Sequence, residues 1–301
     1  MGNRVHTVIR SLTKYLPYME VGGRILNDDL NIVLGRLFFD KEEPHWMVSD
    51  AEKGLPALEL NVSTRLQRKL FYFHRAWGRH WLNGPLARLM KSTLVPGETF
   101  VDIGANLGIY SMHAAGLVGS EGCVIAFEPD PEIFESLRRS SALNGPASIR
   151  CENLALSDRT STCTFYRSWH GGANSLVPQD GRYKGSIEVP VETFDEYVAR
   201  TGTDVSRVRL MKIDVEGEEA RTVAGMIGVL RKAAWPDLWI EVRGPKGSTR
   251  APDTFAGVLQ TLAPLGYGAF RWLDGRMEPV SKADVVYRED ILFSHSTRAN
   301  G

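Results

Sequence analysis

The stretch 99–108, Thr-Phe-Val-Asp-Ile-Gly-Ala-Asn-Leu-Gly, is the feature that most narrows what this chain can become. An apolar run ends in a turn with two glycines and passes directly into a helical pattern, as a buried strand feeds a helix in an open α/β sheet. Strand-like and helical stretches then alternate: a strand over 99–103, a helix over 107–118, a strand over 123–127. Asp130-Pro131-Glu132 reads as an N-cap, a proline at the first helical position and an acidic first turn, and Asn144-Gly145-Pro146 closes that helix before a strand begins at 148. The alternation breaks over 155–190, where two β-like runs flank a glycine-rich loop at 169–175, an insertion placed to cover a cleft. It resumes with a strand over 209–215, a helix with Ala220, Val223, Ala224, Ile227 and Leu230 on one face, a strand over 238–242, a helix over about 252–262 and late strands near 267–272 and 290–294. This order predicts an α/β fold with a parallel sheet covered on both faces.

The character of the chain changes at Pro96-Gly97. Residues 1–95 read as an α+β accessory or cap region, with strand-like runs at 31–39, 45–48 and 57–62 and an aromatic-rich helical stretch at 66–90; residues 96–301 form the second unit. Val5, Ile9, Leu12 and Leu16 suggest a short amphipathic helix, and Arg4, Arg10 and Lys14 interrupt the apolar run a signal peptide needs. No stretch approaches the ~20 apolar residues of a membrane span, so no integral membrane segment is expected. The 36 basic and 36 acidic residues cancel, which removes the usual warrant for nucleic-acid binding. Cys123, Cys151 and Cys163 are odd in number and lack CxxC spacing, which argues against a disulfide framework and a cysteine-rich zinc site and suits a reducing cytoplasm.

The turn after the first core strand departs from the dinucleotide fingerprint, because Asn106 stands where the second glycine belongs. What remains is an acidic residue before a turn of Gly104, Ala105, Asn106 and Gly108. That suits a ligand with an ammonium group and a sulfonium: Asp102 takes the ammonium, directly or through water, and the backbone N–H groups of the turn meet a carboxylate. Glu128 ends the next strand, where a carboxylate can accept from both ribose hydroxyls, and Pro129 borders the adenine.

These residues resemble the FkbM family of methyltransferases. The resemblance rests on Phe100-Val101-Asp102-Ile103-Gly104-Ala105-Asn106, Val124-Ile125-Ala126-Phe127-Glu128-Pro129, Asn153-Leu154-Ala155-Leu156-Ser157-Asp158 and Leu210-Met211-Lys212-Ile213-Asp214-Val215-Glu216-Gly217, and spans residues 60–245. It implies a Rossmann-like class I methyltransferase sheet of seven strands with the last antiparallel, S-adenosylmethionine as methyl donor, Asp102, Gly104, Asn106 and Glu128 around it, and Ala155 and Leu156 near the adenine. It also places Asp214, Glu216 and Gly217 at the end of the fourth strand, beneath the methyl group.

Methyl transfer from a sulfonium is an in-line displacement, and a hydroxyl acceptor must also lose a proton. Candidates to receive it are Asp214, Glu216, Glu241 and His170, the last in the glycine-rich loop. Asp214 could instead hold the cofactor. Asp214, Glu216 and Glu241 could together hold Mg²⁺, yet no spacing demands a metal, and metal-free transfer is the default. The motif at 214–217 lacks the Asn/Asp-Pro-Pro-aromatic clamp of enzymes that methylate planar amines, so the expected partner is a small-molecule hydroxyl on a sugar or secondary metabolite. An amine acceptor, or a cofactor-binding interaction protein without turnover, are the alternatives. Residues 1–95 could support a homo-oligomer.

Overall fold

The computed structural model describes residues 20–21, 24–25, 46–49, 56–62, 64, 67, 81–144, 148–168, 174–177, 183–233, 235–244, 253–273, 275–285 and 287–299. The expected N-terminal amphipathic helix, the strand at 31–39, most of the aromatic-rich helical stretch and His170 lie outside them. Elements are numbered here from β1 (Trp46–Ser49), which pairs antiparallel with β2 (Leu58–Asn61).

Every residue of β3 (Thr99–Ile103) is buried, as a central parallel strand covered on both faces requires. β4 (Cys123–Phe127) and β5 (Ser148–Glu152) extend the sheet on one side of β3; β9 (Val208–Ile213) and β10 (Asp237–Arg243) extend it on the other, all parallel. The strand order therefore reverses at β3, and a cleft opens there at the carboxyl ends. β13 (Arg288–His295) runs antiparallel to β10, and β11 (Tyr267–Leu273) pairs with β13. These are the seven strands implied by the resemblance, with the last one reversed. An eighth, β12 (Arg276–Pro279), returns as a hairpin along the edge of β11.

Side chains on alternate positions feed two layers. Phe100, Val124 and Leu210 pack under α1 (Pro85–Thr93) and α2 (Ile109–Val118). Val101, Ile103, Ile125 and Met211 face the opposite way, toward α4 (Phe194–Thr201), α6 (Ile227–Lys232) and α7 (Thr254–Leu262). α3 (Pro131–Ser141) starts as its sequence predicts, with Asp130 accepting the Glu132 N–H at 3.0 Å.

Two expected helices differ. α2 begins at Ile109 rather than 107, because Asn106 and Gly108 adopt φ of 52° and 78° and hold the turn open. The helix expected across 220–230 is broken into α5 (Glu219–Ala224) and α6. At the break, a Cβ on Gly225 would lie 2.0 Å from the Ser157 carbonyl oxygen, so this backbone contact needs glycine.

The insertion folds as a small second sheet: β6 (Ala155–Leu156), the long hairpin of β7 (Ser161–Ser168) and β8 (Tyr183–Glu192), with Ala155, Phe165, Val189 and Val191 as its core. Before residue 96, residues of β2 and α1 pack into clusters that also hold residues of the sheet and its helices. Leu58, Leu60 and Val62 pack with Ala105, Ile109, Ile133 and Leu137, and Glu59 accepts an ion pair from Arg139 at 2.9 Å. Among the described residues no helix is long and apolar enough to cross a membrane.

Candidate active site

A cleft opens at the carboxyl ends of β3, β4 and β9. Gly104, with φ of 77°, forms its floor; a Cβ there would lie 1.9 Å from the Asp214 carbonyl oxygen. The turn after β3 is thus pressed against the end of β9, a contact only glycine permits. Asp214 N–H donates to the Ile103 carbonyl at 3.0 Å and continues the seam.

Glu128 is 4% exposed and its two oxygens are aimed by backbone amides: Asp130 N–H donates to Oε1 and Asn106 N–H to Oε2, each at 2.9 Å. Burial pushes its carboxyl up to about 8, against the pull of those amides and of Lys212. Pro129, Ala155, Leu156, Ile133 and Phe165 supply apolar wall beside it.

The N–H groups expected to cradle a carboxylate are already committed. Gly104 and Ala105 donate to the Phe127 carbonyl, Asn106 to Glu128, Leu107 to the Asn106 side chain and Gly108 to the Ala105 carbonyl. Asp102 also departs from its expected place. It is fully buried beneath the cleft, accepts the Ser111 hydroxyl at 2.6 Å and lies 3.5 Å from the Lys212 ammonium. Its strand position points it into the α2 layer, so it braces Lys212 rather than lining the wall. Ala105 is buried outside the wall, and Gly108 packs on Leu137.

At the other end of the cleft, Asp214, Glu216 and Glu241 come together, with one ligand-type oxygen from each lying within 4.8 Å of the others. Their environments set them apart. Glu216, at φ of 57°, turns into the protein and is clamped by Arg243 and by both terminal nitrogens of Arg288, at 3.1 and 2.7 Å. Its oxygens are thus taken up by guanidinium donors. Burial, together with the charges of Asp214 and Glu216, pushes Glu241 up to about 8. Asp214 keeps 32% of its side chain exposed. Burial opposes its charge, yet Lys212 at 3.5 Å, a hydrogen bond with Glu241 and the Arg288 guanidinium hold its carboxyl below the ordinary aspartate range. Lys212 itself, buried and donating to the Gly104 carbonyl at 3.1 Å, is kept charged by Asp214 and Asp102.

The hairpin of β7 and β8 is pinned across the cleft. Arg167 pairs with Asp130 at 2.7 Å and with Glu132, Asn174 donates to Asp130 at 3.1 Å, and the Ser175 hydroxyl donates to the Glu216 carbonyl at 2.8 Å. Sequence reasoning missed Arg167, Arg243 and Arg288. Lys212 carried a signal in its motif, one cation in the run Leu210-Met211-Lys212-Ile213 before two acids; the arginines carried none.

The model of the methyltransferase FkbM domain matches residues 102–268. Among curated proteins, methyltransferase sdnD of Sordaria araneosa is 29% identical, the match covering 44% of this chain and 62% of that one. The 31-O-demethyl-FK506 methyltransferase FkbM of Streptomyces tacrolimicus is 28% identical over 48% of this chain and 64% of its own. Hexuronic acid methyltransferase AglP of Haloferax volcanii is 26% identical over 48% and 56%. The chain thus spans less than two thirds of the length of these relatives.

Proposed function

Because the chain belongs to the FkbM methyltransferase-domain family, we propose that it transfers the methyl group of S-adenosylmethionine to a hydroxyl oxygen of a small molecule, a sugar or a secondary metabolite. The observation that carries this reading is one cleft with an amide-aimed Glu128 at one end and a partly exposed, ionised Asp214 at the other.

The residues fit the cofactor. After accepting two N–H groups, Glu128 retains lone pairs for two ribose hydroxyls, and Pro129, Ala155 and Leu156 offer apolar surface to an adenine. Bound there, the sulfonium supplies an electrophilic methyl group. The chain contributes alignment of the acceptor oxygen, and the Asp214 carboxylate takes the hydroxyl proton as the new O–C bond forms and sulfur leaves as a thioether. Glu241, its carboxyl pushed up by burial and by the charge of Asp214, holds Asp214 by a hydrogen bond. An oxygen acceptor is supported by two relatives whose names point to a hexuronic acid and to 31-O-demethyl-FK506.

The test is release of S-adenosylhomocysteine with a panel of hydroxylated small molecules, repeated with Asp214→Asn. Turnover should fall by about 10²–10⁴, the range for a lost general base, while calorimetric affinity for the cofactor is kept. Transfer confined to amines would overturn the hydroxyl assignment. Weakened cofactor binding with turnover intact would move Asp214 to the ammonium of the methionine moiety.

A further inference from the structure

Three carboxylates converge where β9, β10 and β13 meet, an arrangement that in other proteins receives a divalent cation. Here a positive group already sits among them. Arg288 Nη2 lies 2.7 Å from Glu216 Oε1 and 3.9 Å from Asp214 Oδ1, and it also contacts Glu241. One guanidinium nitrogen therefore reaches all three acids. Arg288 leaves 44% of its side chain exposed, so its charge stands at the open face of the cluster rather than behind it. Lys212 and Arg243 approach the same acids from within, at Asp214 and Glu216 respectively.

We propose that Arg288 is a positioning residue that serves as the built-in cation of the Asp214–Glu216–Glu241 cluster, taking the place a divalent ion would fill and holding Asp214 toward the acceptor. The backbone supports the role. Arg288 opens the reversed strand β13 directly opposite Arg243 in register, so its attachment point is fixed by sheet pairing. A planar guanidinium suits this site better than an ammonium, because its fork can serve Glu216 with two N–H groups and still reach Glu241. The consequence is a cluster whose charge is balanced by protein, and that shuts out metal by occupancy.

This inference rests on the proposed methyl transfer only for its link to Asp214, and its primary test needs no turnover. Mn²⁺ is titrated into the intact chain and into Arg288→Ala while the free ion is followed by electron paramagnetic resonance, with folding checked by a thermal melt. Arg288→Ala should take up one Mn²⁺ per chain at least tenfold more tightly than the wild type, and Arg288→Ala/Glu241→Gln should lose that gain. If Arg288→Ala does not fold, Arg288→Gln, a shorter neutral side chain that keeps the first three carbons and one amide donor group, replaces it with the same expectation. Mn²⁺ binding no tighter than in the wild type overturns the proposal, whatever the acceptor is. Where an acceptor has been found, turnover of Arg288→Ala should drop more than that of Arg288→Lys, with cofactor affinity kept, and should recover in part with added guanidinium chloride. A variant that turns over like the wild type also overturns it.

Discussion

At the scale of single residues, the cleft depends on side chains whose chemistry is decided by what surrounds them. Gly104 shows this with no side chain at all, since its neighbour Asp214 leaves no room for one. Glu128 shows it through its proton. Two ribose hydroxyls can both donate to an ionised carboxylate, which accepts them more strongly than the neutral acid does. Because burial lifts the Glu128 carboxyl to about 8, the group is substantially protonated at neutral pH in the free protein. Affinity for S-adenosylmethionine should therefore strengthen as pH rises through about 8 and level off above it. In Glu128→Gln the same titration should be weaker throughout and lack that component; a wild-type affinity that is flat from pH 6 to 9 would remove Glu128 from ribose recognition. Glu128 was legible in the sequence as an acid at a strand end. Its two amide donors were not, because they belong to the turn at Asn106 and to the cap of α3.

Among elements, the hairpin of β7 and β8 is the piece that distinguishes this cleft from a bare sheet edge. Its β-like runs could be read in the sequence, but the ties that hold it could not. Arg167 bridges 37 residues back to Asp130, which is 1% exposed and already caps α3. Hydrogen bonds to a charged group are worth about 1.5–3 kcal/mol each when lost from a buried site, and Arg167 is partly exposed, so the lower part of that range applies. Arg167→Ala should speed amide hydrogen exchange across 161–168 and raise the cofactor off-rate, with exchange in β3 and β9 little changed. Uniform acceleration over the whole sheet would mean that Arg167 supports the fold and not the hairpin. The broken helix at 219–232 teaches the same lesson: its apolar face was correctly periodic, and a backbone contact with Ser157 interrupted it.

For the whole molecule, the question is how residues before 96 relate to the methyltransferase sheet. Their change of character in the sequence suggested a separate region. In the structure, β2 and α1 contribute to clusters that also hold residues of β3, α2 and α3. Leu60 is fully buried there. Leu60→Ala should cost about 2–5 kcal/mol, and urea unfolding followed by fluorescence and circular dichroism should remain one transition. Two separated transitions, with the sheet unmoved, would show that the N-terminal segment folds apart.

The sequence by itself determined the alternation, the glycine that the cleft requires and the acids at the ends of β4, β9 and β10, because each of these is written in local patterns of polarity and turn chemistry. It could not show that Asp102 faces inward, that the turn's amides satisfy one another, or which of three acids stays exposed. Those outcomes follow from contacts between segments far apart in the chain. The reversed last strand is the clearest instance. Only antiparallel pairing brings Arg288, at the beginning of β13, to the edge where the parallel strands end, and so sets a cation beside Glu241 and Asp214. No local pattern encodes that meeting, since it is produced by the direction in which one strand enters the sheet.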